Sequence, residues 1–390
     1  MTPGKTILGI VAEYDPFHNG HALHLSKARS AISPDSIYVV LSPCLKQRGE
    51  LSLFSPHMRA CWAVRGGADA VFSLPVLWTI RDAVHYAEGA VSLLSSLGIT
   101  HLAFGAETAD LRVLQLCADF LEDPPSAFPQ TLHTFLNDGS GYPASLARSV
   151  SLFLPEAGQA LSHPNNTLGI CYLRAIKKLK LHIIPVVIPR HGTYHDAAVD
   201  PSSPSAFSLR EAMKRGDYSA AFQAMPPFSF SSARYPFLNR TIPDRAIWDA
   251  LLLNALRTQD LSQLPDLSEG LQGALLKAAA SSDSSGALLD RLVSKRYTAS
   301  RISRLCAMAV LGATESRIQN LSRPSATLLL ALRKKNVPPG GWNSLPVRVF
   351  SSAVEWQKSA DPEDLLCWRI WAACCHIPDT LPFSERIYAE

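Results

Sequence analysis

The sequence predicts an α/β protein: a Rossmann-like parallel sheet first, then a C-terminal, mainly helical domain. Three observations predict it. Through the first 190 residues, short apolar and β-branched runs alternate with helical periodicity, as in a parallel sheet covered by helices on both faces. At Gly9-Ile-Val-Ala-Glu-Tyr-Asp-Pro-Phe-His-Asn-Gly-His21 a strand stops at a Pro-bearing turn and a helix follows. After Asp244 the pattern turns almost wholly helical to the end.

Taken in order, strands are expected at Thr6–Val11, Ile37–Leu41, Ala70–Leu74, His101–Phe104 and Ile183–Ile188. Each is a short apolar run bounded by turn residues. Helices are expected at Ala22–Ala31, Ala83–Leu97 and Thr167–Leu179. His191–Pro204, rich in Pro, Ser, Asp and Gly, reads as a loop. Met225–Pro243, rich in Pro and aromatics, reads as a linker with little regular structure. The helical remainder is broken at Ser281–Gly286 and Val337–Pro346. The expected division is therefore a domain at 1–225, a linker at 226–243 and a helical domain at 244–390. No internal repeat is evident.

A length of 390 residues allows two or three domains, and 47% hydrophobic with 18% charged residues fits sizeable cores. No apolar run approaches the ~18 residues that span a bilayer. The N-terminus passes straight into the first strand, without the basic, apolar and small-residue layout of a signal peptide. Eight cysteines lack CxxC spacing, so neither a disulfide framework nor a zinc knuckle is expected. Cys367, Cys374, Cys375 and His376 cluster on an apolar helical stretch and read as buried thiols rather than a metal site. The expected location is a reducing cytoplasm. A net charge of +4 permits an RNA partner without requiring one.

The chemistry is concentrated at His18-Asn19-Gly20-His21. A strand-to-helix turn aims backbone N–H groups and the helix dipole at an anion. Gly20 lets a phosphate approach the main chain. Two imidazoles three residues apart can both donate to an α-phosphate as charge builds on it. Capping histidines, or a metal site of His18, His21 and His24, are the competing readings. Gly4-Lys5-Thr6 is not a P-loop, because only Met1 to Pro3 precede it.

Further motifs accompany this one: Gln47-Arg48-Gly49-Glu50, Gly67-Ala68-Asp69 before Ser73-Leu74-Pro75, Tyr86-Ala87-Glu88-Gly89-Ala90, and Phe104-Gly105-Ala106-Glu107. Pro164-Asn165-Asn166-Thr167, Arg190 with Tyr194-His195-Asp196, and Lys295-Arg296-Tyr297-Thr298 with Arg301 follow. Together these residues closely resemble the bacterial tRNA(Met) cytidine acetate ligase family, within the HxGH nucleotidyltransferase superfamily. The resemblance covers most of residues 5–215 and the Lys295 region.

The resemblance implies a ligase that couples ATP and acetate to form acetyl-adenylate and pyrophosphate. It then acetylates N4 of the wobble cytidine of elongator tRNA(Met). Residues 1–225 would be the catalytic half, and the helical remainder would help hold the tRNA. His18 and His21 would be catalytic, stabilising the α-phosphate. The nucleotide would be wrapped by Val11, Ala12, Glu13, Tyr14, Asp15, Pro16, Phe17, His18, Asn19, Gly20, His21, Ala22, Leu23 and His24. Gly105, Asn165 or Asn166, and Arg190 would complete its site, although a plain helix N-cap explains either asparagine equally well. Mg²⁺ is expected with the phosphates, and no protein-held metal.

Ser208 and Arg210 are further candidates to grip phosphate, while Ser205 is equally well a helix N-cap. Lys295, Arg296, Arg301 and Arg304 form a basic face opposite Ile302 and Leu305 and would contact tRNA, although such a run is usually a solvated face. Asp15 stands where the family usually has Asn, and Ser42-Pro-Cys-Leu-Lys46 where it usually has Ser-Gly-Asn-Phe-Val. Ala106 replaces a Ser, and Phe207 a smaller residue. A carboxylate at position 15 is expected to repel phosphates unless a magnesium ion or a base lies between, and Pro43 to remove a backbone donor. Two other functions fit the residues: a small-molecule nucleotidyltransferase, and a non-catalytic RNA- or nucleotide-binding relative.

Overall fold

Strand and helix alternate along the first half of the chain as the periodicity requires. The computed structural model describes residues 5–190, 199, 204–267, 270–333, 337, 340–380 and 388–389. The order begins β1 (Ile7–Ala12), α1 (Asn19–Ile32), β2 (Ser36–Leu41), α2 (Pro56–Arg65), β3 (Ala70–Ser73), α3 (Val76–Thr79), α4 (Ala83–Ser96) and β4 (His101–Ala106). Helices α5 (Leu111–Glu122), α6 (Phe128–Asn137), α7 (Tyr142–Phe153), α8 (Pro155–Ala160) and α9 (Pro164–Lys178) lead to β5 (Ile184–Pro189). Then come α10 (Ala206–Lys214), α11 (Tyr218–Ala224), α12 (Pro227–Leu238), α13 (Arg245–Thr258), α14 (Leu271–Ser281), α15 (Ser285–Leu292), α16 (Ala299–Val310) and α17 (Glu315–Gln319). The chain closes with β6 (Ala326–Leu332), β7 (Arg348–Phe350), α18 (Ala353–Gln357), α19 (Pro362–Cys374) and β8 (Tyr388–Ala389).

The five expected strands all form and run parallel, in the order β5-β4-β1-β2-β3. Successive crossovers move one way from β1 to β3 and the other way from β4 to β5. The order therefore reverses at β1/β4, and a crevice opens beyond their carboxyl ends. Alternation along each strand splits the core. Ile37 and Val39 face the layer of α1 and α2, where Leu25, Ala28 and Trp62 are buried. Tyr38 and Val40 face the layer of α4 and α9, where Ala90, Leu94 and Ile170 are buried.

Two expectations about the C-terminal part are corrected. The stretch read as an irregular linker contains α12, which starts with Pro227 in the first turn and buries Ser229, Phe230, Ala233 and Pro236. The segment read as almost wholly helical contributes three strands to the same sheet. β6 pairs antiparallel with β3, and β7 and β8 pair with β6. Its sequence, ATLLLAL, is a continuous apolar run, and periodicity alone does not separate a buried strand from a buried helix. The break at Ser281–Gly286 spans the junction of α14 and α15, and that at Val337–Pro346 lies between β6 and β7 and holds a 3-10 turn at Trp342–Ser344. No described helix is long and apolar enough to cross a membrane, and the eight cysteines form no disulfide.

Candidate active site

The turn after β1 places the paired histidines at the crevice. His18 is the N-cap of α1, in extended conformation, and its Nδ1 accepts from the Gly20 N–H at 3.1 Å. His21 Nδ1 accepts in return from the His18 N–H at 3.3 Å. This is a reciprocal capping box built from two imidazoles. The rings stack with centroids 3.6 Å apart. Because both Nδ1 atoms accept, each neutral ring carries its proton on Nε2.

Electrostatics keeps the rings neutral. Burial, then the Arg190 and Arg210 guanidiniums, push His18 down to about 3. Burial, His18, Arg190 and His24 hold His21 well below its usual value. Burial and Arg190 push His24 down to about 4. Neutral Nε2–H donors therefore face the site at physiological pH. Tyr14 packs against His21 at 4.8 Å and edge-on against Phe17 at 5.0 Å, which fixes the pair from below.

The carboxylates of the turn serve its neighbours. Asp15 is buried, and its oxygens accept from the Leu53 N–H (2.9 and 3.0 Å) and the Phe54 N–H (3.1 Å), with Lys46 Nζ at 3.8 Å. This carboxylate fastens the loop of residues 42–54, and Lys46 is the base that stands beside it. Glu13 Oε1 accepts from the Gln47 N–H at 2.9 Å. Beneath the loop lies Arg59, fully buried, which donates to the carbonyls of Glu13 (2.8 Å), Ser42 (3.0 Å), Phe54 (3.0 Å) and Pro43. Pro43 therefore contributes a carbonyl that Arg59 satisfies. Arg59 has no local sequence signal, because its partners are backbone atoms of distant residues. Lys46, 4% exposed and bound to Glu50 at 2.9 Å, is a second cation the sequence did not single out.

The far wall comes from β4, α9, β5 and α10. Asn165 donates from Nδ2 to Glu107 Oε1 at 2.6 Å and receives Arg190 Nη1 at 3.5 Å. The Arg190 N–H bonds to the Ala106 carbonyl at 2.8 Å, which sets its guanidinium at the end of β4. A Cβ at Gly105 would lie 3.8 Å from His24 and 4.0 Å from Arg190, so these three converge. Arg210 donates to the Asp15 carbonyl at 2.6 Å.

These residues line one cavity of about 930 Å³, closed on its other side by Trp248, Leu252, Leu288 and Cys306 of the C-terminal helices. Val11, Ala12, Glu13, Tyr14, Asp15, His18, Gly20, His21, Leu23, His24, Gly105, Asn165 and Arg190 all reach it.

Five expected nucleotide contacts do not line this cavity. Asn166 is fully buried, donating to Thr108 Oγ1 and the Ala160 carbonyl and accepting from the Thr108 N–H. Phe17 is sealed in the core against Phe228, 6.0 Å away. Asn19 donates to the Gln223 carbonyl at 3.0 Å. Pro16 and Ala22 are the other two. Ser205 is the N-cap of α10, and Ser208, buried, bonds back to it, so of that group Arg210 alone is left as a phosphate candidate. No described cluster of His, Cys, Asp or Glu could hold a metal, which removes the His18–His21–His24 metal reading. Tyr194, His195 and Asp196 lie outside the described residues.

The expected basic face is corrected: Arg301 and Arg304, both half-buried, are on α16, whereas Lys295 and Arg296 precede that helix. Ile302 and Leu305 are buried, while Lys295 and Arg296 are exposed. Arg301 donates to the Asp266 carbonyl at 3.0 Å and shares the Tyr297 ring with Arg296, each guanidinium 5.4 Å from its centroid. Gly49, at φ +79°, lets the Gln47–Gly49 turn lie on α16: a Cβ there would be 2.6 Å from the Ser303 and Arg304 backbone.

The family model described as HIGH Nucleotidyl Transferase matches residues 5–337. The chain belongs to this nucleotidyltransferase family. It is similar to the tRNA(Met) cytidine acetate ligase of Lysinibacillus sphaericus, 31% identical over 338 residues that cover 84% of each chain. It also superposes on the apo crystal structure of Thermotoga maritima TmcAL with TM-score 0.89 at 25% identity, covering 98% of this chain and 99% of that one. A second form of the Thermotoga protein, bound with alpha-thio ATP, superposes with TM-score 0.87 at 24% identity over the same shares of the two chains.

Proposed function

We propose that this protein is an ATP-dependent ligase that activates acetate as acetyl-adenylate and acetylates N4 of the wobble cytidine of elongator tRNA(Met). In the first step an acetate oxygen attacks the α-phosphorus of ATP, and pyrophosphate leaves. In the second the cytidine N4 attacks the acetyl carbon, AMP leaves, and N4 loses a proton. The observation that carries this reading is the imidazole pair. His18 and His21 have Nδ1 tied to the main chain, so Nε2–H is left to donate at the cavity both rings line. Preorganised neutral donors stabilise charge as it develops on the α-phosphate, without reorganisation. Arg190 and Arg210 supply positive charge at the same cavity.

ATP is the substrate nucleotide. Mg²⁺ would arrive with its phosphates, since the Glu13 and Asp15 carboxylates accept from main-chain N–H groups. The Asp15 and Pro43 changes are the best support for a non-catalytic relative, and the bonds of Asp15 to residues 53 and 54 give it a structural role instead. We assign tRNA contact to Lys295, Arg296, Arg301 and Arg304 in the 244–390 segment, and a cytoplasmic location, where ATP and tRNA are available. Nucleoside mass spectrometry tests the reading, on unmodified elongator tRNA(Met) transcript incubated with protein, ATP, Mg²⁺ and acetate. An N4-acetylcytidine peak that vanishes without acetate is the expected result. No peak, under conditions in which a related ligase yields one, would overturn it.

A further inference from the structure

We propose that a second cavity, beside the α3–α4 turn, binds a phosphate group of the RNA substrate through Arg81 and Trp78. That the ligand is RNA rests on the ligase reading; that the site takes an anion rests on the geometry alone.

The cavity measures about 310 Å³, and Trp78, Arg81, His85, Asp266, Glu315 and Gln319 are on its wall. Arg81 is 7% exposed, yet its Nε meets no acceptor and no carboxylate pairs with its guanidinium among the described residues. A buried cation without a counter-charge is strongly disfavoured unless an anion completes it. Trp78 Nε1 is also buried without an acceptor. The indole is seated on Gly89, where a Cβ would come within 2.6 Å of the ring, so its N–H is a fixed donor. Two carboxylates, Asp266 and Glu315, share the wall with Arg81. Asp82 accepts from the Val84 and His85 N–H groups and contacts the His85 ring, and Glu315 accepts from Gln319 at 2.8 Å. The Asp266 carboxylate remains on the wall, and Arg301, on the Asp266 carbonyl, and Arg304, within electrostatic reach of Asp82 and Asp266, stand beside it.

Two N–H donors without acceptors on one cavity wall, one of them cationic, fit a group that only accepts and carries negative charge, as a phosphate does. Position favours a phosphate of bound RNA over free phosphate. Arg301 of α16 holds the carbonyl of the wall residue Asp266, and Gln47 Nε2 donates to the Arg81 carbonyl at 2.8 Å, which joins the cavity to the wall of the main site. Arg81 belongs to none of the motifs that carry the family resemblance.

Arg81→Gln and Trp78→Phe in the full chain test this. Arg81 Nε has no internal partner, so Arg81→Gln should keep or raise the thermal midpoint, whereas Trp78→Phe, which removes a buried fused ring, should lower it. Arg81→Gln should weaken binding of the unmodified tRNA(Met) transcript about tenfold at low salt, and lower the slope of log K against log salt by about 1. Trp78→Phe, which removes the indole N–H, should weaken it a few-fold. Transcript affinity and salt slope unchanged in both variants would overturn the RNA assignment. If inorganic phosphate then raised the midpoint of the wild type but not of Arg81→Gln, the cavity would be a free-anion site. A lowered midpoint for Arg81→Gln with unchanged transcript affinity would make the guanidinium structural and overturn the site itself. Binding is read without turnover, so failure of the acetylation assay leaves this result standing.

Discussion

His21 does two jobs that separate by substitution. Its Nδ1 caps the His18 N–H at 3.3 Å, and its Nε2–H is the proposed donor to the α-phosphate. An Asn side chain places an acceptor oxygen where Nδ1 stood and offers nothing at Nε2. A Gln side chain places an amide N–H near Nε2 and loses the cap. The cap contributes about 1 kcal/mol to stability. A preorganised donor at a developing oxyanion contributes about 2.7–4 kcal/mol, or about 10²–10³ in kcat. His21→Asn should therefore unfold in urea near the wild-type midpoint while acetate-dependent ATP–pyrophosphate exchange falls about 10²–10³-fold. His21→Gln should lose about 1 kcal/mol of stability and recover most of the exchange. If His21→Asn exchanges as fast as His21→Gln, Nε2–H is not the donor and the tautomer reasoning fails.

The same rings set a pH dependence. In the folded protein His18 titrates at about 3 and His24 at about 4, whereas unfolded imidazoles bind protons near 6.5. Their contribution to stability is thus full above about 6.5 and is lost as pH falls toward 4, by up to about 1.4 kcal/mol per pH unit for each ring. Urea unfolding across that window should show the slope, and His24→Gln should reduce it; an unchanged slope would contradict the burial of His24. Arg59→Met leaves at least four main-chain carbonyls without their donor and should cost about 3–5 kcal/mol in urea unfolding. A loss below about 1 kcal/mol would mean water replaces the guanidinium. Arg301→Ala with Arg304→Ala should lower the salt slope of tRNA binding by about 2, and an unchanged slope would assign both residues to structure alone.

Sequence reading succeeded where the signal is local. Strands β1 to β5 are short, mainly apolar runs, and the histidine pair lies within a single turn, so neighbouring residues determine both. It failed where distant partners decide. Asn165 and Asn166 are adjacent, but a helix turns each to a different side. Glu107 and Arg190 meet the first while Thr108 and Ala160 enclose the second. Asp15 reads as a charge beside phosphate until the Leu53 and Phe54 N–H groups, almost 40 residues on, are seen to take it. Helix α12 was hidden by Pro and aromatic residues that resemble a linker. There Pro227 sits in the first turn, where no N–H is needed, and Phe228 packs on Phe17.

The C-terminal third is part of the active-site scaffold. Strand β6 covers the edge of β3, and Thr327 Oγ1 donates to the Ser73 carbonyl at 2.7 Å. From α19, Trp371 Nε1 donates to the Ser52 carbonyl at 2.8 Å, and Asp364 Oδ1 accepts from the Val76 N–H at 2.6 Å. The loop of residues 42–54, which presents Lys46 and Gln47 to the cavity, is thus held by Asp15 and Arg59 on one side and by Trp371 on the other. Its Gly49 turn rests on α16, the helix to which tRNA contact is assigned. The segment proposed to hold RNA is therefore packed directly on the loop that shapes the nucleotide cavity. One continuous structure then sets the distance between the adenylate and the base it modifies, and a transfer reaction between two bound substrates depends on that positioning.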